Sequence, residues 1–182
     1  MEVIYPEMVF DPKLERISGE IEAEKNILRE AYRYAWEHSH DPKTRVGAVL
    51  EHGQVLTYGA NHFPRELQPT SEQLNDRNWK YQYIIHAESA VIIAAARQER
   101  GTKGTTMYMP WVPCIPCAAM IIDAGIEVLI GHQAMIEKTP ERWWESTMSA
   151  LELLKKTGVE VKVYDGKIGS VHAIFDGNIW EP

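Results

Sequence analysis

The sequence predicts an α/β fold in which a mixed sheet of about five strands is covered by helices on both faces, a three-layer α/β/α arrangement. Two observations predict this class. A strand hairpin lies in the first half of the chain, and strands alternate with helices from residue 105 onward, a pattern that gives parallel strands joined by right-handed crossovers. The length predicts a single domain over residues 1–182, with a core over about 20–165 and a tail over 165–182.

The first half of the chain predicts one helix and one hairpin. Apolar residues recur at three- and four-residue spacing over 19–37, which predicts an amphipathic helix. Two apolar segments, 45–50 and 54–59, flank the turn 51–53 and predict an antiparallel hairpin. Residues 60–83 are polar, contain proline and show no sustained period, so we expect a long loop that forms a wall or lid of a site.

The second half predicts alternating helices and strands. In chain order, the expected elements are a helix over 86–98, a strand over 105–109, a helix over 116–124, a strand over 126–130, a helix from about 140 to 156 and a strand over 159–164. Gly125 follows the second of these helices and ends it. The tail 165–182 has no clear period, and we expect a short extra strand or a packing arm there.

Composition and charge indicate which classes of binding partner suit this chain. The formal net charge of −7 argues against a nucleic-acid partner, because nucleic-acid binding depends on clustered Lys and Arg. A small-molecule nucleotide or nucleobase fits better. The sequence begins with acids and prolines rather than a signal peptide, and it has no apolar run approaching the ~20 residues of a membrane span. We therefore expect a cytoplasmic protein without a membrane partner.

Three residues have the chemistry of zinc ligands. His86 supplies an imidazole, and Cys114 and Cys117, the two cysteines of the chain, form one C-x-x-C. Two thiolates and one imidazole suit Zn²⁺ and leave a fourth position open for water, as catalytic zinc sites do. Glu88 lies two residues after His86, which is a position for a general base. A redox dithiol and a zinc-stabilised interaction module without catalysis are the alternatives.

These residues form the pattern H-A-E followed by P-C-x-x-C, which resembles the zinc-dependent cytidine and deoxycytidylate deaminase superfamily. Residues 39–48 (SHDPKTRVGA), 59–61 (GAN) and 113–126 extend the resemblance, most closely to deoxycytidylate deaminases, over about residues 25–165. The resemblance implies the cytidine deaminase fold and one catalytic zinc ion per chain. It also implies hydrolytic deamination, in which Glu88 carries protons from water to the ring nitrogen and the departing ammonia.

The resemblance also implies substrate contacts. The Ala87 N–H is expected to contact the carbonyl of the base, and Asn61 the sugar or base. Trp111 lies in a segment similar to S-W-S-P-C of polynucleotide cytidine deaminases, so it either lines the base pocket or packs against the sheet edge. The remaining expected substrate contacts are Arg45, His62 and Pro113. The candidate phosphate ligands are Arg45, Arg65, Arg77 and Lys80. The aromatic residues Trp79, Tyr81 and Tyr83 line the pocket, anchor the loop or fill a subunit interface.

Deamination of dCMP to dUMP and ammonia is therefore the function that the sequence favours. Deoxycytidylate deaminases commonly have Asn two residues after H-A-E, where this chain has Ala90. This departure leaves open a deaminase of a free base or nucleoside, such as cytosine, guanine or another amino-heterocycle, and, less favoured, of a base in tRNA or single-stranded DNA. The residue after Asn61 is not the Gly that some relatives have, which argues against allosteric control by nucleotides. Relatives generally assemble, so a homo-oligomer, dimer or larger, is expected.

Overall fold

The computed structural model describes residues 13–18 and 22–182, and these contain a six-stranded sheet and a separate two-stranded hairpin. The strands of the large sheet are β1 (Glu15–Ser18), β2 (Gly47–His52), β3 (Val55–Ala60), β4 (Thr106–Tyr108), β5 (Val128–His132) and β6 (Glu160–Asp165). Their spatial order is β1-β6-β5-β4-β2-β3. The predicted mixed sheet is confirmed, and β1 is an additional edge strand that the sequence pattern did not predict.

Strand directions follow the prediction. β2 and β3 form an antiparallel hairpin around Gly53. The φ of Gly53 is 61°, a backbone conformation that glycine adopts readily because it has no Cβ. β2 also pairs antiparallel with β4, whereas β4, β5, β6 and β1 are parallel to one another. The predicted hairpin and the parallel crossovers are both confirmed.

The α-helices of the described residues are α1 (Glu22–His38), α2 (Ser71–Asn75), α3 (Arg77–Tyr83), α4 (Ala87–Arg97), α5 (Ile115–Asp123), α6 (Gln133–Ile136) and α7 (Trp144–Lys156). A short 3₁₀ turn, Glu141–Trp143, precedes α7, within the range predicted as one helix. Residues 19–21, the predicted start of the first helix, lie outside the described residues. Within residues 13–18 and 22–182, every helix is too short or too polar to serve as a membrane span.

Helices pack on both faces of the sheet, and two glycines show how closely. A Cβ at Gly47 would lie 2.2 Å from the Ala31 carbonyl oxygen in α1, and one at Gly59 would lie 2.4 Å from the Val91 amide nitrogen in α4. Gly59 pairs with Ala48, the neighbour of Gly47, so the two glycines point to opposite faces. Helix α1 therefore covers one face and α4 the other, where α5 contacts both α4 and α7.

The predicted loop over 60–83 is wrong in its second half, which contains α2 and α3. Thr70 and Gln73 form a capping box, in which the Thr70 hydroxyl accepts from the Gln73 amide at 3.2 Å and the Gln73 side chain accepts from the Thr70 amide at 2.9 Å. Asp76 then caps α3. These helices are too short to show a hydrophobic period, but the T-x-x-Q spacing was a sequence signal for the first of them.

The tail forms a hairpin of β7 (Ala173–Phe175) and β8 (Asn178–Trp180) that packs back onto the core. Its two-residue turn, Asp176 and Gly177, has φ values of 49° and 82°, the conformation of a type I′ turn. Asp-Gly between apolar residues is a strong hairpin signal, which the sequence analysis overlooked. Phe175 is buried in the same apolar cluster as Leu28 of α1 and Leu129 of β5.

Candidate active site

Two helix starts bring the predicted metal ligands together. His86 is the N-cap residue of α4, Cys114 is the N-cap residue of α5, and Cys117 lies in the first turn of α5. The Nδ1 atom of His86 lies 3.5 Å from the Sγ atom of each cysteine. The unpaired amides at the start of α5 favour the thiolate form of these cysteines.

The donor set and its spacing fit a zinc ion. Zn–S bonds of about 2.3 Å and Zn–N bonds of about 2.0 Å at tetrahedral angles place nitrogen and sulfur about 3.5 Å apart. The two nitrogen–sulfur distances here are both 3.5 Å, and the three donor atoms all lie within 4.8 Å of one another. His86, Cys114 and Cys117 could therefore hold one metal ion and leave its fourth position open.

The electrostatics of the three residues favour a thiolate. Cys114 accepts a hydrogen bond from Cys117 and lies beside His86. These two neighbours lower the pKa of Cys114 to about 4, although burial alone would raise it. Burial lowers the pKa of His86, but the hydrogen bond with Cys114 and the charge of Glu88 outweigh it and raise that pKa to about 9. Ser89 is a neighbour of this group, because its hydroxyl oxygen lies 3.7 Å from the Cys117 sulfur.

Glu88 lies beside these residues in the first turn of α4 and is only 4% exposed. It lines the same cavity as His86 and Cys114. Burial raises the pKa of Glu88, and the nearby His86 opposes that rise. A carboxyl group with a raised pKa holds a proton more readily than an ordinary carboxyl group, which favours a role in which the group takes a proton and later returns it.

Aromatic rings form much of the wall of this cavity. Trp111 lines it and makes edge contacts with Trp143 at 6.0 Å and Phe175 at 5.0 Å between ring centroids. Tyr81 of α3 also lines the cavity and contacts Trp143. The indole N–H of Trp111 donates to the Thr139 hydroxyl at 2.8 Å, which fixes the ring in the cavity wall. Flat apolar walls of this kind suit a heterocyclic base.

Asn61 links the polar side of the cavity to α4. Its Oδ1 accepts from the Ala87 N–H at 2.9 Å, and its Nδ2 donates to the Thr44 carbonyl oxygen at 3.4 Å. Asn61 lines the cavity, whereas Ala87 is fully buried. The two expected substrate contacts are therefore bonded to each other, and the Ala87 N–H is engaged by Asn61 rather than directed at a base carbonyl.

Three further expected contacts, Arg45, His62 and Pro113, are not among the cavity-lining residues. Arg45 donates to the Trp36 carbonyl oxygen at 2.6 Å and lies over the Trp36 ring, near the end of α1. His62 lines a separate groove, together with Arg65.

Pro113 is buried directly before Cys114. Arg77 is also absent from the residues that line the cavity. Lys80 is a buried partner of Asp41 at 2.8 Å rather than a solvated cation.

Several cavity residues were not singled out from the sequence as site residues. They come from α7, the turn before it and the tail hairpin: Arg142, Thr147, Phe175 and Asp176. Arg142 and Asp176 form an ion pair at the cavity. The Asp-Gly turn could have revealed the hairpin, but no local signal shows where that hairpin docks.

Known proteins match both the sequence and the fold. Residues 21–132 match the family described as the cytidine and deoxycytidylate deaminase zinc-binding region, which spans all three candidate ligands and Glu88. The chain is 32% identical over 124 residues to an uncharacterised deaminase of Aliivibrio fischeri from the luxG 3′ region, covering 68% of this chain and 81% of the relative. It is also 32% identical over 147 residues to the deoxycytidylate deaminase of Mus musculus, covering 76% and 78%.

The crystal structure of dCMP deaminase from the cyanophage S-TIM5 in complex with dCMP and dUMP has the same fold, with a TM-score of 0.63. It is 18% identical in sequence and aligns over 79% of this chain and 98% of the phage chain. The family match covers well over half of the 182 residues and includes the donor set that fits zinc. This chain therefore belongs to the zinc-dependent cytidine and deoxycytidylate deaminase family and is a hydrolytic deaminase.

Proposed function

We propose that this chain converts dCMP to dUMP and ammonia. The observation that carries the proposal is the buried Glu88 beside His86, Cys114 and Cys117 in an aromatic-walled cavity. The similarity to the mouse deoxycytidylate deaminase supports the choice of dCMP among the substrates of this family.

Each site residue has a role in this proposal. His86, Cys114 and Cys117 are the zinc ligands, and the bound ion supplies the Lewis acidity that makes water a nucleophile near neutral pH. Glu88 takes a proton from the attacking water and passes it to the ring nitrogen. The water oxygen bonds to the carbon that carries the amine, and Glu88 then takes the second proton from that oxygen and delivers it to the amine. The carbon–nitrogen bond breaks, ammonia leaves and the carbonyl group of dUMP forms.

The other cavity residues hold the substrate. Trp111, Trp143 and Phe175 enclose the base between apolar surfaces and exclude water from it. Asn61 fixes the start of α4 through the Ala87 N–H, and this bond keeps Glu88 in place. Asn61 also lines the cavity, where its Nδ2, which makes only a long bond of 3.4 Å to the Thr44 carbonyl oxygen, can donate its second hydrogen to the sugar or base.

The proposal is tested by ammonia release from the zinc-loaded protein with cytosine, deoxycytidine, dCMP, dCTP and guanine as substrates. We expect turnover of dCMP above all others. Glu88→Gln keeps the size and burial of the side chain but cannot carry the proton, so kcat should fall by about 10²–10⁴-fold with zinc content unchanged. Glu66→Gln, an exposed position, is the matched control. Substantial turnover by Glu88→Gln would contradict the proton-carrier role.

A deaminase of a free base or nucleoside is the second candidate. Arg142 is the only Lys or Arg among the described residues that line the cavity, and it is already paired with Asp176. A neutral substrate would leave this pair intact. Turnover of deoxycytidine or a free base with none of dCMP, in the same set of assays, would favour this candidate over dCMP.

We also propose that the chain is a single domain that assembles as a homo-oligomer, dimer or larger. Helices α4 and α5 contact each other, and three of their large apolar side chains, Ile93, Ile115 and Met120, are more than one third exposed. Light scattering on the purified protein should give a mass of at least twice the 20.8 kDa of one chain. A mass of one chain across the working concentration range would contradict assembly.

A further inference from the structure

We infer that Arg142 binds the phosphate of the substrate, and that Asp176 holds the Arg142 guanidinium until a phosphate replaces it and so weakens phosphate binding by competition. This inference rests on the proposed function and deepens it, because it names the residues that choose between a nucleotide and a nucleoside. Both residues line the candidate cavity, although they come from segments 34 positions apart in the chain.

The Arg142–Asp176 pair has the geometry of a two-pronged contact. One guanidinium nitrogen of Arg142 bonds Asp176 Oδ1, and the other lies 3.4 Å from Oδ2. Their side chains are 33% and 39% exposed, in contrast to the buried Glu88. The pair therefore lies in a more solvent-accessible part of the cavity than Glu88, as the charged phosphate of a bound nucleotide requires.

Asp176 is the fixed member of the pair. It lies in the type I′ turn of the tail hairpin, and its amide donates to the Thr44 hydroxyl at 3.3 Å. The next amide, of Gly177, donates to the Lys43 carbonyl oxygen at 2.8 Å. Arg142 instead carries its guanidinium on a long, flexible stem. When the two separate, the guanidinium moves and the carboxylate stays.

The charges of the cavity leave Arg142 as the group that can balance a phosphate. Among the described residues that line the cavity, the carboxylates are Asp41, Glu88 and Asp176. Asp41 is neutralised by the buried Lys80, and Glu88 is needed for proton transfer. A phosphate dianion offers three acceptor oxygens to the guanidinium and displaces a single carboxylate, whereas a neutral nucleoside has no group that does so. Arg142 therefore favours the nucleotide over the nucleoside, and competition from Asp176 reduces that advantage.

The test compares kcat/KM for dCMP and for deoxycytidine in the zinc-loaded wild type, Arg142→Gln and Asp176→Asn. Arg142→Gln should lower kcat/KM for dCMP about 10–100-fold, mainly through KM, as expected for the loss of a charged hydrogen bond. Its kcat/KM for deoxycytidine should fall by much less, because that substrate has no phosphate. Asp176→Asn keeps a residue that tolerates positive φ but removes the competing charge, so KM for dCMP should fall. Arg65→Gln, in the separate groove, is the control and should behave as wild type.

Each outcome decides the matter. An equal loss of kcat/KM for dCMP and deoxycytidine in Arg142→Gln would assign Arg142 a structural role and overturn the inference. The inference would also be overturned, with dCMP still the substrate, if Arg142→Gln turned over dCMP like the wild type or if Asp176→Asn raised KM for dCMP. A wild type that deaminates deoxycytidine and not dCMP would overturn the proposed function itself, and the phosphate site with it.

Discussion

At the scale of single residues, chemistry is concentrated at the first turns of two helices. His86 and Cys114 are N-cap residues, and neither uses its side chain to cap its helix. Their side chains are therefore free to face each other. The N-cap position of a helix is ordinarily occupied by Ser, Thr, Asp or Asn, whose side chains bond the first amides. His86 and Cys114 make no such bond, so each helix is less stable than it would be with one of those residues.

Removal of one thiolate tests the metal site. Cys114→Ala leaves two donors, so bound zinc measured by mass spectrometry should fall from about one ion per chain to almost none. The melting temperature should fall as well, because an ion that binds only the folded state contributes about 4 kcal/mol when present at a thousand times its Kd. Ser89→Ala, which removes only a neighbour of Cys117, should keep its zinc. Full zinc occupancy in Cys114→Ala would contradict the ligand assignment.

His132 should make stability depend on pH. This residue is fully buried, its Nε2–H donates to the Gly166 carbonyl oxygen at 2.9 Å, and its Nδ1 accepts from the Tyr32 hydroxyl at 2.7 Å. Burial lowers its pKa below the ordinary 6.5, so the imidazole stays neutral in the fold. Below pH 6.5 the unfolded chain binds a proton that the folded chain does not, and the stability from this residue is lost as pH falls.

The measurement is urea unfolding of the wild type and His132→Gln from pH 7.5 to 5.5. The wild type should be the more stable protein at pH 7.5. Its advantage in free energy of unfolding should shrink below pH 6.5, by at most about 1.4 kcal/mol per pH unit. Other titrating groups are common to both proteins and cancel in the difference. An advantage that stays constant over this range would show that His132 does not titrate as described.

At the scale of elements, the site depends on how closely α4 approaches the sheet. Gly59 in β3 allows the backbone of α4 to lie where a side chain would otherwise stand. The first turn of α4 carries Glu88, and His86 is the N-cap residue of this helix. A shift of α4 would therefore move the proposed proton carrier and one candidate metal ligand together, relative to the cysteines of α5.

Gly59→Ala should both destabilise the protein and impair the site. Its Cβ would lie 2.4 Å from the Val91 amide nitrogen and 2.8 Å from the Ala87 carbonyl oxygen, and neither backbone atom can turn away. We expect a loss of about 1–3 kcal/mol or more in the free energy of unfolding, with lower zinc affinity. Gly101→Ala is the control, because a Cβ there meets nothing within 4 Å. Equal stability of the two variants would contradict the close packing of α4.

At the scale of the whole molecule, the tail completes both the core and the cavity. The Arg45 amide donates to the Ile174 carbonyl oxygen at 2.9 Å, which ties β7 to the segment that enters β2. Phe175 is 3% exposed, packs in the main apolar cluster and also lines the candidate cavity. The last residues of the chain thus form a wall of a site whose metal ligands lie some 60 to 90 positions earlier.

Phe175→Ala should show that the tail and core are one cooperative unit. Removing a buried aromatic ring costs about 3–5 kcal/mol, so the midpoint of urea unfolding should fall while the transition stays single. KM should rise too, because the ring lines the cavity. Ile179→Ala, at a side chain 65% exposed on the neighbouring strand, should change stability by less than about 0.5 kcal/mol. Separate unfolding of the tail, with the core unaffected, would contradict a single unit.

The fold class and the candidate metal ligands, with Glu88 as the expected proton carrier, were predictable from the sequence because they depend on short-range patterns. H-A-E and P-C-x-x-C place His86, Glu88, Cys114 and Cys117 by spacing alone, and strand and helix periods gave the mixed sheet. The helices α2 and α3 were not predicted, because they are too short to show a hydrophobic period.

Only the tertiary structure decided what surrounds these residues. Arg45 and His62, which the sequence suggested as substrate contacts, do not line the cavity, whereas Arg142, Phe175 and Asp176 do. Their positions depend on the order of strands in the sheet and on where the tail hairpin docks. Those are long-range packing choices, and the residues that meet there carry no common local pattern by which sequence spacing could have predicted their meeting.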